Sequence, residues 1–181
     1  YKVLVRMKGW DDGAAGPWGV VEDIIGKAGE HDVEMRALAL GQGFSSDFPP
    51  GVVADAKYLE EHGRAMLAEE AKNSSRKDFR DAPTCTIDPA DAKDYDDALS
   101  IRKNSDGTME VGIHIADVSF FVKPGSALDK EARERATSVY LVDRTIPMLP
   151  EVLSNDLCSL KQDQDRLAVS AVFILDSEAK V

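Results

Sequence analysis

Five aspartates fall within the ten residues 88–97, between two short apolar runs. Carboxylates at this density do not enter a hydrophobic core, because burying unpaired charge is strongly unfavourable. Pro89 also prevents a regular strand from continuing, since proline removes a backbone donor from the ladder. The segment is therefore predicted to be a bent connection between two strands, which can turn several carboxylates towards one centre.

The neighbouring carboxylates of Asp96 and Asp97 indicate a cation site. Like charges this close repel each other, and an opposite charge nearby relieves the repulsion. Hard oxygen ligands favour magnesium, manganese or calcium over zinc or copper. The EF-hand spacing, with alternate Asp followed by Gly and a distal Glu, does not occur here. A solvated acidic turn without any metal is the other interpretation of the same residues.

Strand and helix patterns alternate along the chain, which predicts a mixed α+β fold. Strands are predicted at residues 1–7, 18–25, 84–87, 98–102, 109–115 and 167–175, and helices at residues 33–40, 52–63, 128–139 and 152–160. The turn signal at residues 104–107, Asn-Ser-Asp-Gly, joins two of these strands. The first two strands, joined by the glycine-rich residues 9–19, fit the end of a small β-barrel. A polar, basic linker at residues 71–80 places the main boundary near Asp81.

Composition and charge limit the classes of function. Hydrophobic residues make up 43% and charged residues 30% of the chain, as in globular domains. No apolar run is long enough to span a bilayer, so we expect a cytoplasmic protein with no membrane partner. The net charge of −11 argues against phosphate binding through basic residues alone, so action on nucleic acid requires cations held by carboxylates. Cys85 and Cys158 form no CxxC pair, which predicts buried, reduced thiols.

Several separated motifs together resemble the catalytic (RNB) domain of the ribonuclease II/ribonuclease R family. The matching text is Thr86-Ile87-Asp88, the run DYDDA at 94–98, VGIHIADV at 111–118, IPMLP at 146–150 and LCSL at 157–160. The resemblance covers residues 81–181 and is closer to ribonuclease R than to ribonuclease II. Residues 1–29 resemble more loosely the end of a cold-shock or OB-like barrel, and residues 30–80 resemble the connecting segment.

The resemblance implies a magnesium-dependent exoribonuclease that hydrolyses single-stranded RNA from the 3′ end and releases nucleoside 5′-monophosphates. The cofactor is Mg²⁺, or Mn²⁺ in its place, and the parent enzyme is expected to be monomeric. The catalytic and metal-binding residues that match the family's four motif aspartates are Asp88, Asp94, Asp96 and Asp97. Tyr140 matches an aromatic that stacks on an RNA base. Asp91 lies between the motif positions and is expected to be non-catalytic.

Other interpretations stay open at this point. The chain could be a binding-only RNA module with a structural acidic loop, or a different metal-dependent phosphohydrolase acting on a small phosphate ester. Tyr140 could instead be a half-buried core residue. His114 lies in an apolar strand and is expected to be a packed, hydrogen-bonded residue. Because the family's catalytic domain extends beyond the matched text, this chain alone is expected to be weakly active or inactive.

Overall fold

Two compact units make up the computed structural model, which describes residues 1–13 and 15–181. The first unit comprises Tyr1–Phe48 and Val139–Ile146, and the second comprises Pro49–Ser138 and Pro147–Val181. The sequence predicts a different division, with domain bounds at 1–29, 30–80 and 81–181. Those bounds remain a prediction.

Strands and helices alternate as the sequence predicts, which confirms the mixed α+β class. The strands are β1 (Lys2–Gly9), β2 (Trp18–Gly26), β3 (Thr84–Cys85), β4 (Asp97–Lys103), β5 (Met109–Ala116), β6 (Val139–Tyr140), β7 (Thr145–Ile146) and β8 (Ala168–Leu175). The helices are α1 (His31–Gly41), α2 (Pro50–Glu70), α3 (Val118–Phe121), α4 (Ala127–Arg135) and a π-helical turn at Leu153–Leu157.

The first unit holds two small antiparallel sheets, β1–β2 and β6–β7, together with α1. Helix α1 buries Val33 and Ala39 and ends at Gly41, close to the predicted bounds. Among the described residues of this unit no sheet closes on itself. The expected barrel end is therefore not confirmed, and apolar strand residues such as Val20 stay more than half exposed, at 53%.

The second unit contains the sheet that carries the acidic segment. Its four strands run in the order β3-β4-β5-β8, and every neighbouring pair is antiparallel. Strands β4 and β5 form a hairpin around the predicted turn at residues 104–107, where Asn104 N donates to Thr108 O at 2.9 Å. Gly107 adopts a positive φ of 89°, a conformation that glycine tolerates without steric cost. The third strand of the predicted set, 84–87, is shortened to Thr84–Cys85.

Helix α2 is longer than predicted, because Gly63 does not end it. The residues after Gly63 are good helix formers, and Leu67 continues the buried face that Val52 and Leu59 begin. A Cβ at Gly63 would lie 2.4 Å from Leu157 Cδ1, so the glycine allows close packing in mid-helix. Within residues 1–13 and 15–181, no helix combines the length and apolar character needed to cross a bilayer.

Two predicted helices in the second unit are shorter than expected. Helix α4 begins at the cap Ser126, whose side chain accepts from Asp129 N, and ends where Ala136 adopts a left-handed φ of 61°. Val139, predicted as helical, lies in β6 instead. The helix predicted at 152–160 is a five-residue π-helical turn, because Leu153 and Leu157 enter the core and the chain then turns.

Candidate active site

The acidic segment is the connection that leads from β3 into β4. Asp97 is the first residue of β4 and pairs with Ile115 near the end of β5. Asp88, Asp96 and Asp97 are exposed, and Asp94 is half-buried. The structure therefore confirms the predicted bent connection between strands. It places all four predicted ligands in one loop at the edge where β4 begins, within reach of solvent.

The charges of three motif aspartates act on the fourth, Asp96. Partial burial raises the pKa of the Asp96 carboxyl above its ordinary value, and the negative charges of Asp94, Asp97 and Asp88 raise it further. Asp96 as a whole residue is nevertheless exposed. The effect of the three neighbouring charges depends on the separation of the carboxylates and not on how much of Asp96 is covered. The loop thus concentrates negative charge around Asp96.

The donor set of this loop suits a hard divalent cation. All four side chains offer carboxylate oxygens, which are the ligands of Mg²⁺ and Mn²⁺. Over the described part of the chain, no three His, Cys, Asp or Glu side chains converge closely enough to hold one metal ion. Repelling carboxylates spread apart unless a cation offsets their charge. The residues fit magnesium in their chemistry and their placement on one loop, and their carboxylates would have to approach one another to hold one ion.

Residues that no acidic pattern could reveal fix the backbone of this loop. Ser159 is fully buried, at 0% exposure, and its side chain bonds to the loop backbone at Lys93 and Tyr95. Ala116, at the end of β5, donates its N–H to Asp96 O at 2.9 Å. In the sequence, Ser159 stands out only as part of the motif LCSL at 157–160, which resembles the family. That motif did not predict a role for Ser159.

Asp117 is a second residue whose place only the structure gives. Its buried carboxylate caps α3 by accepting from Phe120 N at 3.2 Å, and it accepts from Arg76 Nη2 at 3.0 Å. Burial tends to raise the pKa of Asp117, but hydrogen bonds from Ser119 and Arg76 outweigh it and hold the pKa below its usual range. This ion pair fixes the chain where β5 leaves the sheet, directly after Ala116.

His114 is packed in the sheet, as expected. Its Nδ1 lies 2.7 Å from Ser170 Oγ and its Nε2 lies 2.8 Å from Ser100 Oγ, so both ring nitrogens are hydrogen-bonded across three strands. Burial lowers the pKa of His114, which favours the neutral ring. A Cβ at Gly112 would lie 2.6 Å from Nε2, so glycine leaves the ring its space. These contacts give His114 a structural role.

Tyr140 lies on β6 in the first unit and is 66% exposed. This exposure contradicts the alternative of a half-buried core residue on a helix end. Stacking on an RNA base stays a prediction.

The two cysteines differ in exposure. Cys158 is buried as expected, and burial raises the pKa of its thiol to about 12. Cys85 is exposed, so the expectation of two buried thiols is wrong for this residue. The physical reason is that β3 is a two-residue strand at the edge of its sheet, and among the described residues β4 alone pairs with it.

The family model for the RNB domain matches residues 76–181. This chain belongs to the RNB-domain family. The exosome complex exonuclease RRP44 of Mus musculus is 38% identical over 182 residues, which cover 99% of this chain and 18% of that protein. Ribonuclease R 1 of Lactococcus lactis is 42% identical over 163 residues, which cover 90% of this chain and 19% of that protein.

A solved RNB-domain structure agrees with these sequence matches. Mycoplasma genitalium RNase R, in complex with ribose methylated single-stranded RNA, matches with a TM-score of 0.84 and 28% identity over 97% of this chain and 27% of that chain. The chain thus spans about a fifth of the length of the two curated relatives. The resemblance to the ribonuclease II/ribonuclease R family is confirmed, and the acidic loop lies within the matched RNB region.

Proposed function

We propose that this chain is the aspartate-bearing part of a magnesium-dependent exoribonuclease that hydrolyses single-stranded RNA from the 3′ end to nucleoside 5′-monophosphates. The observation that carries the proposal is the placement of the four motif aspartates on one connection into β4, where the charges of Asp94, Asp97 and Asp88 act on Asp96. The relatives named exonuclease and ribonuclease R support the reaction class. The RNase R complex with single-stranded RNA supports the substrate.

The carboxylates of the loop can supply the positive charge that phosphodiester hydrolysis requires, because they can bind metal cations. Charge accumulates on the scissile phosphate and the leaving oxygen, and magnesium held by the four carboxylates would supply the positive charge that offsets it. Asp88, Asp96 and Asp97 are exposed and Asp94 is half-buried, so a polymeric substrate can reach the loop. The backbone bonds of Ser159 and Ala116 hold the loop in place, which reduces the motion lost when ligands close around an ion.

Individual roles follow from the resemblance and belong to the same proposal. Asp88 and Asp97 act as direct metal ligands, Asp94 completes the metal shell, and Asp96 helps to hold the terminal ribose. Tyr140, which is 66% exposed, stacks on a base near the 3′ end, because the π-face of any unpaired base can stack on an aromatic ring. The parent enzyme acts as a monomer in the cytoplasm, and its free cysteines fit that reducing compartment.

The test is a single-turnover cleavage assay with excess chain over a 5′-labelled single-stranded RNA, read on a denaturing gel. Single-turnover conditions detect even slow cleavage. We expect a ladder that shortens from the 3′ end in Mg²⁺ and is absent in EDTA. Asp96→Asn should abolish it, whereas the matched control Asp91→Asn, in the same loop but outside the motif, should retain it.

Three other results would overturn the proposal. RNA binding that is unaffected by EDTA, without any cleavage, would favour a binding-only module with a structural acidic loop. Turnover of a mononucleotide phosphate ester without turnover of RNA would favour a different phosphohydrolase. Equal activity in Asp96→Asn and Asp91→Asn would remove the motif aspartates from the chemistry.

A further inference from the structure

The segment after the π-helical turn holds the acidic loop at the residues that flank Asp94. Ser159 Oγ donates to Lys93 O at 2.7 Å and accepts from Tyr95 N at 3.1 Å. Leu160 N donates to Tyr95 O at 2.8 Å. These three bonds fix the backbone on both sides of Asp94, although the loop itself has no regular secondary structure there.

The sheet holds the same loop from the other side. Ala116 N donates to Asp96 O at 2.9 Å, and Asp97 then enters β4 opposite Ile115. The backbone from Lys93 to Asp97 is therefore tied at nearly every residue. Hydrogen bonds from Ser159, Leu160 and the sheet therefore hold the backbone that carries the three carboxylates of Asp94, Asp96 and Asp97.

A buried arginine holds Ser159 in turn. Arg166 Nε donates to Ser159 O at 3.0 Å and to Asp156 O at 3.1 Å, and the Arg166 side chain is only 7% exposed. Asp156 Oδ1 accepts from Arg166 Nη2 at 3.3 Å. Both carboxylate oxygens of Asp156 also accept from Arg64 Nη2 at 2.9 Å. Burial of a guanidinium is unfavourable unless it is well bonded, and Arg166 meets that need in part by holding the carbonyl of Ser159.

We propose that Ser159 is a positioning residue that sets the spacing of the aspartate ligands for the divalent cation, and this rests on the proposed function. A hydroxyl is a small group that can donate and accept at once, which the two opposed loop contacts require. Alanine can do neither. Removing a group that orients metal ligands from outside the ligand set lowers metal affinity on the order of 10-fold to 100-fold.

The test measures Mn²⁺ binding to the 181-residue chain by the EPR signal of free Mn²⁺. Ser159→Ala is expected to weaken Mn²⁺ binding about 10-fold or more. Ser100→Ala is the matched control, because Ser100 is a buried serine of the same unit that bonds to His114 and not to the loop. It should lose stability but keep its Mn²⁺ affinity. Hydrogen exchange at the Tyr95 amide should quicken in Ser159→Ala and not in Ser100→Ala.

A conservative variant keeps the test decisive if Ser159→Ala unfolds. Ser159→Cys retains a weak donor and acceptor, so it should fold and bind Mn²⁺ more weakly than the wild type, while Ser100→Ala keeps the wild-type affinity. If Ser159→Cys and Ser100→Ala lose Mn²⁺ affinity to the same extent, the loss reflects general stability. The proposal then fails.

Asp97→Asn separates this proposal from the proposed function. Loss of Mn²⁺ binding in Asp97→Asn with unchanged binding in Ser159→Ala would overturn only the role of Ser159. Equal Mn²⁺ binding by the wild type and Asp97→Asn would overturn the metal site, and the role of Ser159 with it.

Discussion

Replacing Asp117 by Asn tests the ion pair that fixes the end of β5. Asp117 accepts from Arg76 Nη2 at 3.0 Å, from Ser119 Oγ at 2.7 Å and from Phe120 N at 3.2 Å. In Asp117→Asn the oxygen facing Ser119 and Phe120 is retained, but an amide donor faces the guanidinium. A hydrogen bond to a charged group contributes about 1.5–3 kcal/mol. Arg76 keeps Glu70 as a partner at 2.7 Å.

The remaining partner of Arg76 limits the loss. Stranding a fully buried charge costs about 3–5 kcal/mol, but Arg76 stays paired with Glu70 and its side chain is 28% exposed. We therefore expect Asp117→Asn to lower the free energy of unfolding by about 2–3 kcal/mol at pH 7. The measurement is urea unfolding followed by circular dichroism. Asp165→Asn is the control, since that pair with Arg80 is exposed on both sides and should change stability by less than about 1 kcal/mol.

The pH dependence has a definite sign. The folded pKa of Asp117 lies below its usual range, because hydrogen bonds outweigh burial. A carboxylate of this kind contributes stability above its unfolded pKa of about 3.9, and the contribution is lost as the pH falls through the folded pKa. The gap between wild type and Asp117→Asn should be full at pH 6–7 and narrow below about pH 4. A cost under about 0.5 kcal/mol, or a gap as large at pH 3 as at pH 7, would refute this reasoning.

Two further predictions concern packing and thiol exposure. Gly63→Ala should destabilise by about 1–3 kcal/mol in chemical unfolding, because its Cβ would lie 2.4 Å from Leu157 Cδ1, although alanine normally favours a helix. Gly41→Ala, which meets nothing within 4 Å, should not destabilise, and an equal loss in both would contradict the packing argument. In a thiol assay with an aromatic disulfide reagent, Cys85 should react in the native chain and Cys158 only after unfolding, since burial raises the pKa of Cys158 to about 12. Two equally fast thiols in the native protein would show that Cys158 is accessible.

Local sequence patterns determined the elements that depend on near neighbours. The break at Pro89 and the dense carboxylates predicted the exposed connection before β4, and the turn at residues 104–107 predicted the hairpin of β4 and β5. Both follow from charge, proline and turn chemistry acting over a few residues. The family text added the identity of the four motif aspartates, whose metal-binding role stays a proposal.

Tertiary structure decided what depends on distant residues. The predicted helix ends at Gly63, yet α2 continues to Glu70 with Leu67 on its buried face, and Leu157 packs into the space that the glycine leaves. Ser159 and Tyr95 are 64 residues apart, so no spacing within a window of sequence could pair them. The sequence by itself determined that an acidic loop leads into a strand and which residues it carries. Only the fold decided where its backbone is held, because hydrogen bonds between distant segments are set by packing and not by local pattern.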